Sequence, residues 1–174
     1  MNIYDKELMT LCRMVLDGQK NIGANSGFVA ASVIDPEGNI VRAVANNIGG
    51  KNGWRHGERN AIDKYISKYK DIPPGCVVVT NLSPCNSAVS GSRFGSNCTD
   101  YLLQHGINDV YCGFVDFKQG STDPRLNLVV TQNASIHSLC EKIALMHLPK
   151  ELFNKTNNIK DKPSSLENRL STRR

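Results

Sequence analysis

The run Cys76-Val77-Val78-Val79-Thr80 constrains the fold more than any other stretch of the chain. It lacks polar alternation, so a strand built from it needs cover on both faces. Pro73-Pro74-Gly75 halts whatever precedes it, because proline removes a backbone donor and glycine tolerates positive φ. Such a strand belongs in a sheet with helices above and below. The rest of the chain supplies them. Ile3, Leu8, Leu11, Cys12, Val15 and Leu16 recur at helical spacing over residues 3–16, before Gly18 and Gly23. Ala61, Ile62, Tyr65, Ile66 and Tyr69 do the same over residues 56–69.

Between those helices lies a hairpin. Phe28 to Ile34 reads as a buried strand, Asp35-Pro36-Glu37-Gly38-Asn39 as a tight turn, and Ile40 to Ala45 as the returning strand. Asn46 to Gly53 is a loop rich in glycine and asparagine, and residues 86–97 form a second polar one. Ser96 is placed to cap a helix running through Tyr101, Leu102 and Leu103 to Gly106. Val110 to Val115 is another strand, Leu126 to Val130 a short fifth, and Ile136 to Leu148 a final helix before Pro149. The fold class is therefore α/β, with three α/β/α layers around a mixed sheet of about five strands and no internal repeat.

With 174 residues, a single domain over 1–153 is expected, followed by a polar, basic, flexible tail over 154–174. In the terminal region Lys150, Lys155, Lys160, Lys162, Arg169, Arg173 and Arg174 outnumber the acids, and they carry much of the net charge of +5. Such a segment either holds phosphates or is simply solvated. Six cysteines are too few for a disulfide scaffold, which points to core thiols or metal ligands in a reducing, cytoplasmic setting. No apolar stretch reaches the roughly eighteen residues of a membrane span. Asp5 and Glu7 interrupt any secretory core at the N-terminus.

Three short features carry chemistry. His56-Gly57-Glu58 opens a helix, where a histidine can bind a centre that the glutamate approaches without binding. Ser83-Pro84-Cys85 follows the buried strand, and strand ends in open α/β sheets are natural ligand positions. Cys98 stands near the start of the next helix, where backbone amides favour thiolate. Each alone has a plainer reading, as surface histidine or core thiol. Together, one histidine and two cysteines make a catalytic zinc set that leaves a position for water.

With these motifs the chain resembles the cytidine/deoxycytidylate deaminase superfamily, which includes cytosine, guanine and tRNA adenosine deaminases and carries the signature H-x-E followed by P-C-x-x-C. The resemblance covers residues 3–148. Asn25-Ser26-Gly27-Phe28-Val29 is similar to the family's P-x-G-A-V at the first strand, and Leu82-Ser83-Pro84-Cys85 to its first cysteine motif. Gly57 stands where most members have alanine. The second cysteine should fall at position 88, which is Ala88. Placing it at Cys98 instead restores the downstream register, because Gly106 then lies eight residues on, followed by Ile107 and Val110-Tyr111-Cys112-Gly113. Residues 86–97 are thus expected to contain an insertion. Gly113 to Ser121, with Asp116 and Lys118, is similar to a segment of tRNA adenosine deaminases.

The resemblance implies a cytidine-deaminase-like fold and zinc-dependent hydrolytic deamination of an amino-substituted nucleobase. Zn²⁺ would be held by His56, Cys85 and Cys98, with Glu58 as proton shuttle. Asn46 or Asn47 would contact the base or ribose, and Trp54 and Phe94 are candidates to stack on it, with loop packing as their plainer role. The expected substrate is a small nucleobase, nucleoside or nucleotide, acted on by a homodimer. A nucleic-acid deaminase is the alternative, and an inactive nucleotide-binding protein of the same fold a third reading.

Overall fold

The computed structural model describes residues 1–22, 26–47, 54–86, 97–115 and 123–147. Phe94, Asp116, Lys118 and the tail lie outside them. The elements run α1 (Ile3–Asn21), β1 (Ser26–Ile34), β2 (Ile40–Asn47), β3 (Trp54–Arg55), α2 (Gly57–Tyr69), β4 (Val77–Leu82), α3 (Cys98–Gln104), β5 (Asp109–Phe114), β6 (Asn127–Val130) and α4 (Ala134–His147). They form one mixed sheet in the order β3-β2-β1-β4-β5-β6. β1 is antiparallel to both β2 and β4, whereas β4, β5 and β6 run parallel.

The apolar run does sit in the interior of the sheet, between β1 and β5. Its side chains alternate between two cores. Val78 joins Ala31, Val33 and Val110 against Ala61, Ile62 and Tyr65 of α2 and Leu102 of α3. Val79 joins Ala30, Ile34 and Tyr111 against Leu8, Leu11, Cys12 and Val15 of α1 and Ile136, Cys140 and Ile143 of α4. Period-two alternation thus fills both faces at once, giving the three layers expected.

Differences from the sequence reading have local causes. α1 continues through Gly18 to Asn21, and the missing side chain at Gly18 admits Ser26. Asn46 and Asn47, read as the start of a loop, belong to β2 and pair with Arg55 and Trp54, which form a two-residue edge strand. The cap of α3 is Asn97, whose Oδ1 accepts from the Asp100 amide at 2.8 Å; Ser96 lies outside the described residues.

One irregularity bears on the site. The β1–β2 register shifts between Ser26 and Ala30, and regular pairing of β1 with β4 ends at Ala31 and Thr80. Past that point the buried Asn81 side chain replaces the ladder. It accepts from the Ala30 amide at 2.8 Å and donates to the Phe28 carbonyl at 2.9 Å. Buried backbone groups are thereby satisfied while β4 diverges from β1. Among the described residues no helix is long and apolar enough to cross a membrane.

Candidate metal centre

His56 occupies the N-cap of α2 in extended backbone geometry, yet its side chain makes no capping hydrogen bond. The imidazole turns to sulfur instead: Nδ1 lies 3.6 Å from Cys85 Sγ and 3.2 Å from Cys98 Sγ. The helix start is pressed against β1. A Cβ built on Gly57 would lie 2.8 Å from the Val29 carbonyl oxygen, so only glycine allows this approach without displacement. Glu58 is carried beneath the histidine, 2% exposed, with Oε2 3.6 Å from Cys98 Sγ.

Cys85 follows β4, and Cys98 is the first residue of α3. Two backbone bonds join them: the Cys98 amide donates to Cys85 Sγ at 3.2 Å, and the Thr99 amide to the Cys85 carbonyl at 3.1 Å. β5 steadies the strand end through the Ser83 amide, which donates to the Phe114 carbonyl at 2.9 Å.

The four side chains are strongly coupled through shared protons. The Cys85 thiol is pulled down to about 4, first by the hydrogen bond from Cys98 and then, against burial, by His56. Cys98, as the donating partner, is pushed up, with burial and Glu58 adding to the shift. His56 is raised, chiefly by its hydrogen bond with Cys85. Burial pushes the Glu58 carboxyl up to about 7. Several groups here compete for protons in a confined space, an arrangement found at functional sites.

The donor set fits zinc. The three ligand atoms lie within 4.8 Å of one another. Tetrahedral zinc with thiolate and imidazole arms of about 2.3 and 2.0–2.1 Å sets its sulfur and nitrogen donors about 3.6 Å apart. The Cys85 sulfur lies at that spacing from the His56 nitrogen, 3.6 Å, and the Cys98 sulfur is somewhat closer, at 3.2 Å. Among the described residues no other His, Cys, Asp and Glu group converges this way. Cys12, Cys76, Cys112 and Cys140 are buried elsewhere in the core, and burial pushes Cys112 up to about 12.

The family model of the cytidine and deoxycytidylate deaminase zinc-binding region matches residues 4–114. The chain belongs to this family. Its fold is shared by the diaminohydroxyphosphoribosylaminopyrimidine deaminase/5-amino-6-(5-phosphoribosylamino)uracil reductase of Thermotoga maritima, with a TM-score of 0.60 at 21% identity over 81% of this chain. RibD of Acinetobacter baumannii gives 0.57 at 12% identity over 82%. This chain spans 40% and 38% of the length of those two proteins. The dCMP deaminase of cyanophage S-TIM5 gives 0.49 at 16% identity, covering 75% of this chain and all of that one. No curated protein matches the chain significantly in sequence. The deaminase family thus agrees with the donor set on zinc as the cofactor.

Of the other candidates, Asn46 sits near the end of β2 and faces α2. Asn60 Nδ2 donates to its Oδ1 at 2.8 Å and to the Val44 carbonyl at 3.0 Å. A carbonyl can only accept, so the Asn60 nitrogen is identified by Val44, and the Asn46 atom it touches must be oxygen. Asn47 pairs with Trp54 across the sheet edge. The sequence reading passed over Asn60, although its position one helical turn beyond His56 was a usable signal. It also passed over Arg59, whose guanidinium lies 4.3 Å over the Tyr101 ring and ties α2 to α3.

Proposed function

We propose that this deaminase-family chain hydrolyses the exocyclic amine of a small nucleobase, nucleoside or nucleotide, using zinc held by His56, Cys85 and Cys98. The observation that carries this reading is the convergence of those three donors beside the buried Glu58. Zinc bound there supplies activated water at neutral pH. The net reaction adds water at the ring carbon bearing the amine, breaks that carbon–nitrogen bond, and leaves a ring carbonyl and ammonia.

Glu58 is the group placed to move protons. Its carboxylate takes one from the water, passes it to the adjacent ring nitrogen, and delivers the next to the departing amine. Burial keeps bulk water from short-circuiting that transfer. Asn46 orients the substrate: with Oδ1 engaged by Asn60, its amide nitrogen remains to donate to an acceptor on the base or sugar. Asn47 lies next to it in β2, paired with Trp54 of the edge strand, and both residues belong to the same substrate-contact reading.

An ammonia-release screen over cytosine, cytidine, deoxycytidylate, guanine, adenine, adenosine and bulk tRNA tests the proposal, with zinc content measured on the same protein. Turnover of one of the small compounds, abolished in Glu58→Gln, is the expected result. Activity confined to tRNA would overturn the small-substrate reading. Silence on every compound with zinc bound would favour a binding protein.

A further inference from the structure

Residues 86–97 separate the two cysteines in the chain, yet the bonds between them are those of close neighbours. Were residues 87–96 removed, Asn86 would join Asn97 and restore a C-x-x-C spacing. Thr99 would then follow Cys85 by four positions. Its observed bond to the Cys85 carbonyl would then close a local i to i+4 ring, with the extended N-cap Asn97 inside it. Cys85 therefore lies against the start of α3 as a near neighbour in sequence would, although the short covalent path is gone. A longer connection raises the entropy lost in holding its ends together, so contacts elsewhere must hold them.

Those contacts converge on Asp123. On one side, the Asn86 side chain, next to Cys85, hydrogen-bonds the Asp123 carboxylate. On the other, Arg125 donates from Nε to Asp123 Oδ1 at 3.0 Å and from Nη2 to Oδ2 at 2.7 Å. The same Nη2 reaches Asp100 Oδ1 at 2.8 Å. Asp100 is in the first turn of α3, and Asn97 Nδ2 donates to its other oxygen at 2.8 Å. Asp123 is 6% exposed, and the Arg125 amide also donates to it at 3.0 Å. Both flanks of the intervening segment are thus anchored at one carboxylate in the connection between β5 and β6.

We propose that Asp123 and Arg125 form a positioning clamp that holds Cys85 and Cys98 at metal-binding separation, standing in for the short covalent link. The inference rests on the proposed donor set. Arg125 touches neither metal ligand, and its influence runs through Asp100 and, by way of Asp123, Asn86. The alternative is a surface ion pair with a purely local effect.

Zinc dissociation constants, obtained by competition with a chromogenic chelator, separate the two, alongside thermal melts of metal-free protein. In the full chain Arg125→Ala should weaken zinc binding about tenfold, at the low end of what supporting residues contribute. Arg125→Lys, which keeps one charged contact, should fall between. In a chain lacking residues 87–96 the same Arg125→Ala change should cost less than about threefold, because the covalent link again sets the spacing. An unchanged constant in the full chain, or equal losses with and without the segment, would overturn the clamp. If the shortened chain fails to fold, the full chain still decides: zinc affinity that falls no further than metal-free stability would also overturn it. Cys98→Ser keeps the premises apart. Zinc binding that ignores Cys98 sinks the donor set and the clamp together; binding that needs Cys98 but not Arg125 sinks the clamp alone.

Discussion

His56 and Glu58 lie two residues apart at one helix start, whereas Cys85 and Cys98 come from separate elements with residues 86–97 between them. The first pair is positioned by packing. Gly57 lets α2 abut the β1 backbone, and the buried face of α2 does the rest. The second pair is positioned by polar contacts from Asn86, Asp100, Asp123 and Arg125. A contiguous motif needs only its own helix to be placed correctly. A divided one needs support from elsewhere in the chain, and that support must be polar where it lies near solvent.

The comparison predicts different failures for the two halves. The largest belongs to the helical half. Glu58→Gln should retain zinc and fold while turnover falls by about 10²–10⁴-fold, because a carboxamide cannot carry protons. Ammonia release and elemental analysis on one preparation would check this. Activity within a few-fold of the parent would mean that another group moves the protons. Next, Cys98→Ser should weaken zinc binding at least about a hundredfold, beyond the usual effect of a supporting residue. Adding Ala88→Cys should not restore it if Cys98 completes the set, and restoration would return the ligand to the uninterrupted spacing.

The two halves also differed in how much could be read from sequence. The helix start was legible because His56, Gly57 and Glu58 are adjacent, and β4 because an unbroken apolar run has few other places to go. Cys98 could be chosen over position 88 only through residues downstream of it, from Gly106 to Gly113. Its supports were not legible. Asp123 and Arg125 belong to no hydrophobic period, and their meaning arises from closeness to Asp100 and Asn86 in three dimensions. β3 was missed because two residues carry no alternation. At α3 both Ser96 and Asn97 are good capping residues by type, so sequence does not separate them, and the observed cap is Asn97.

A smaller effect probes the packing half. Gly57→Ala would place a methyl group 2.8 Å from the Val29 carbonyl, and backbone cannot rotate away as a side chain can. Overpacking of this kind costs about 1–3 kcal/mol. Thermal denaturation should register the loss in both metal-free and zinc-loaded protein. The family resemblance marks Gly57 as a departure from the usual alanine, and the tight approach of α2 to β1 is its physical reason in this chain. An alanine variant as stable as the parent would show that β1 yields readily.

The smallest effect probes the cysteine half through pH. Asp123 is held below the usual carboxylate range, first by the Arg125 side chain against the penalty of burial, and then by the Arg125 amide and Asn86. A carboxylate whose pKa is lower in the folded state adds stability at pH values above its unfolded pKa, about 3.9. That contribution disappears as pH falls through the lower folded value. The stability gap between parent and Arg125→Ala, both metal-free, should therefore stay constant from neutrality to about pH 5 and narrow progressively below about pH 4. It should be small throughout, because Arg125 is 54% exposed and solvent screens the pair. Denaturant melts at pH 7, 5 and 3 would measure it. The matching gap for Gly57→Ala should stay level over the same range, since a steric clash carries no proton. A parallel fall of both gaps would mean that acid loosens the whole fold, and the contrast between a packed half and a charge-held half would be lost.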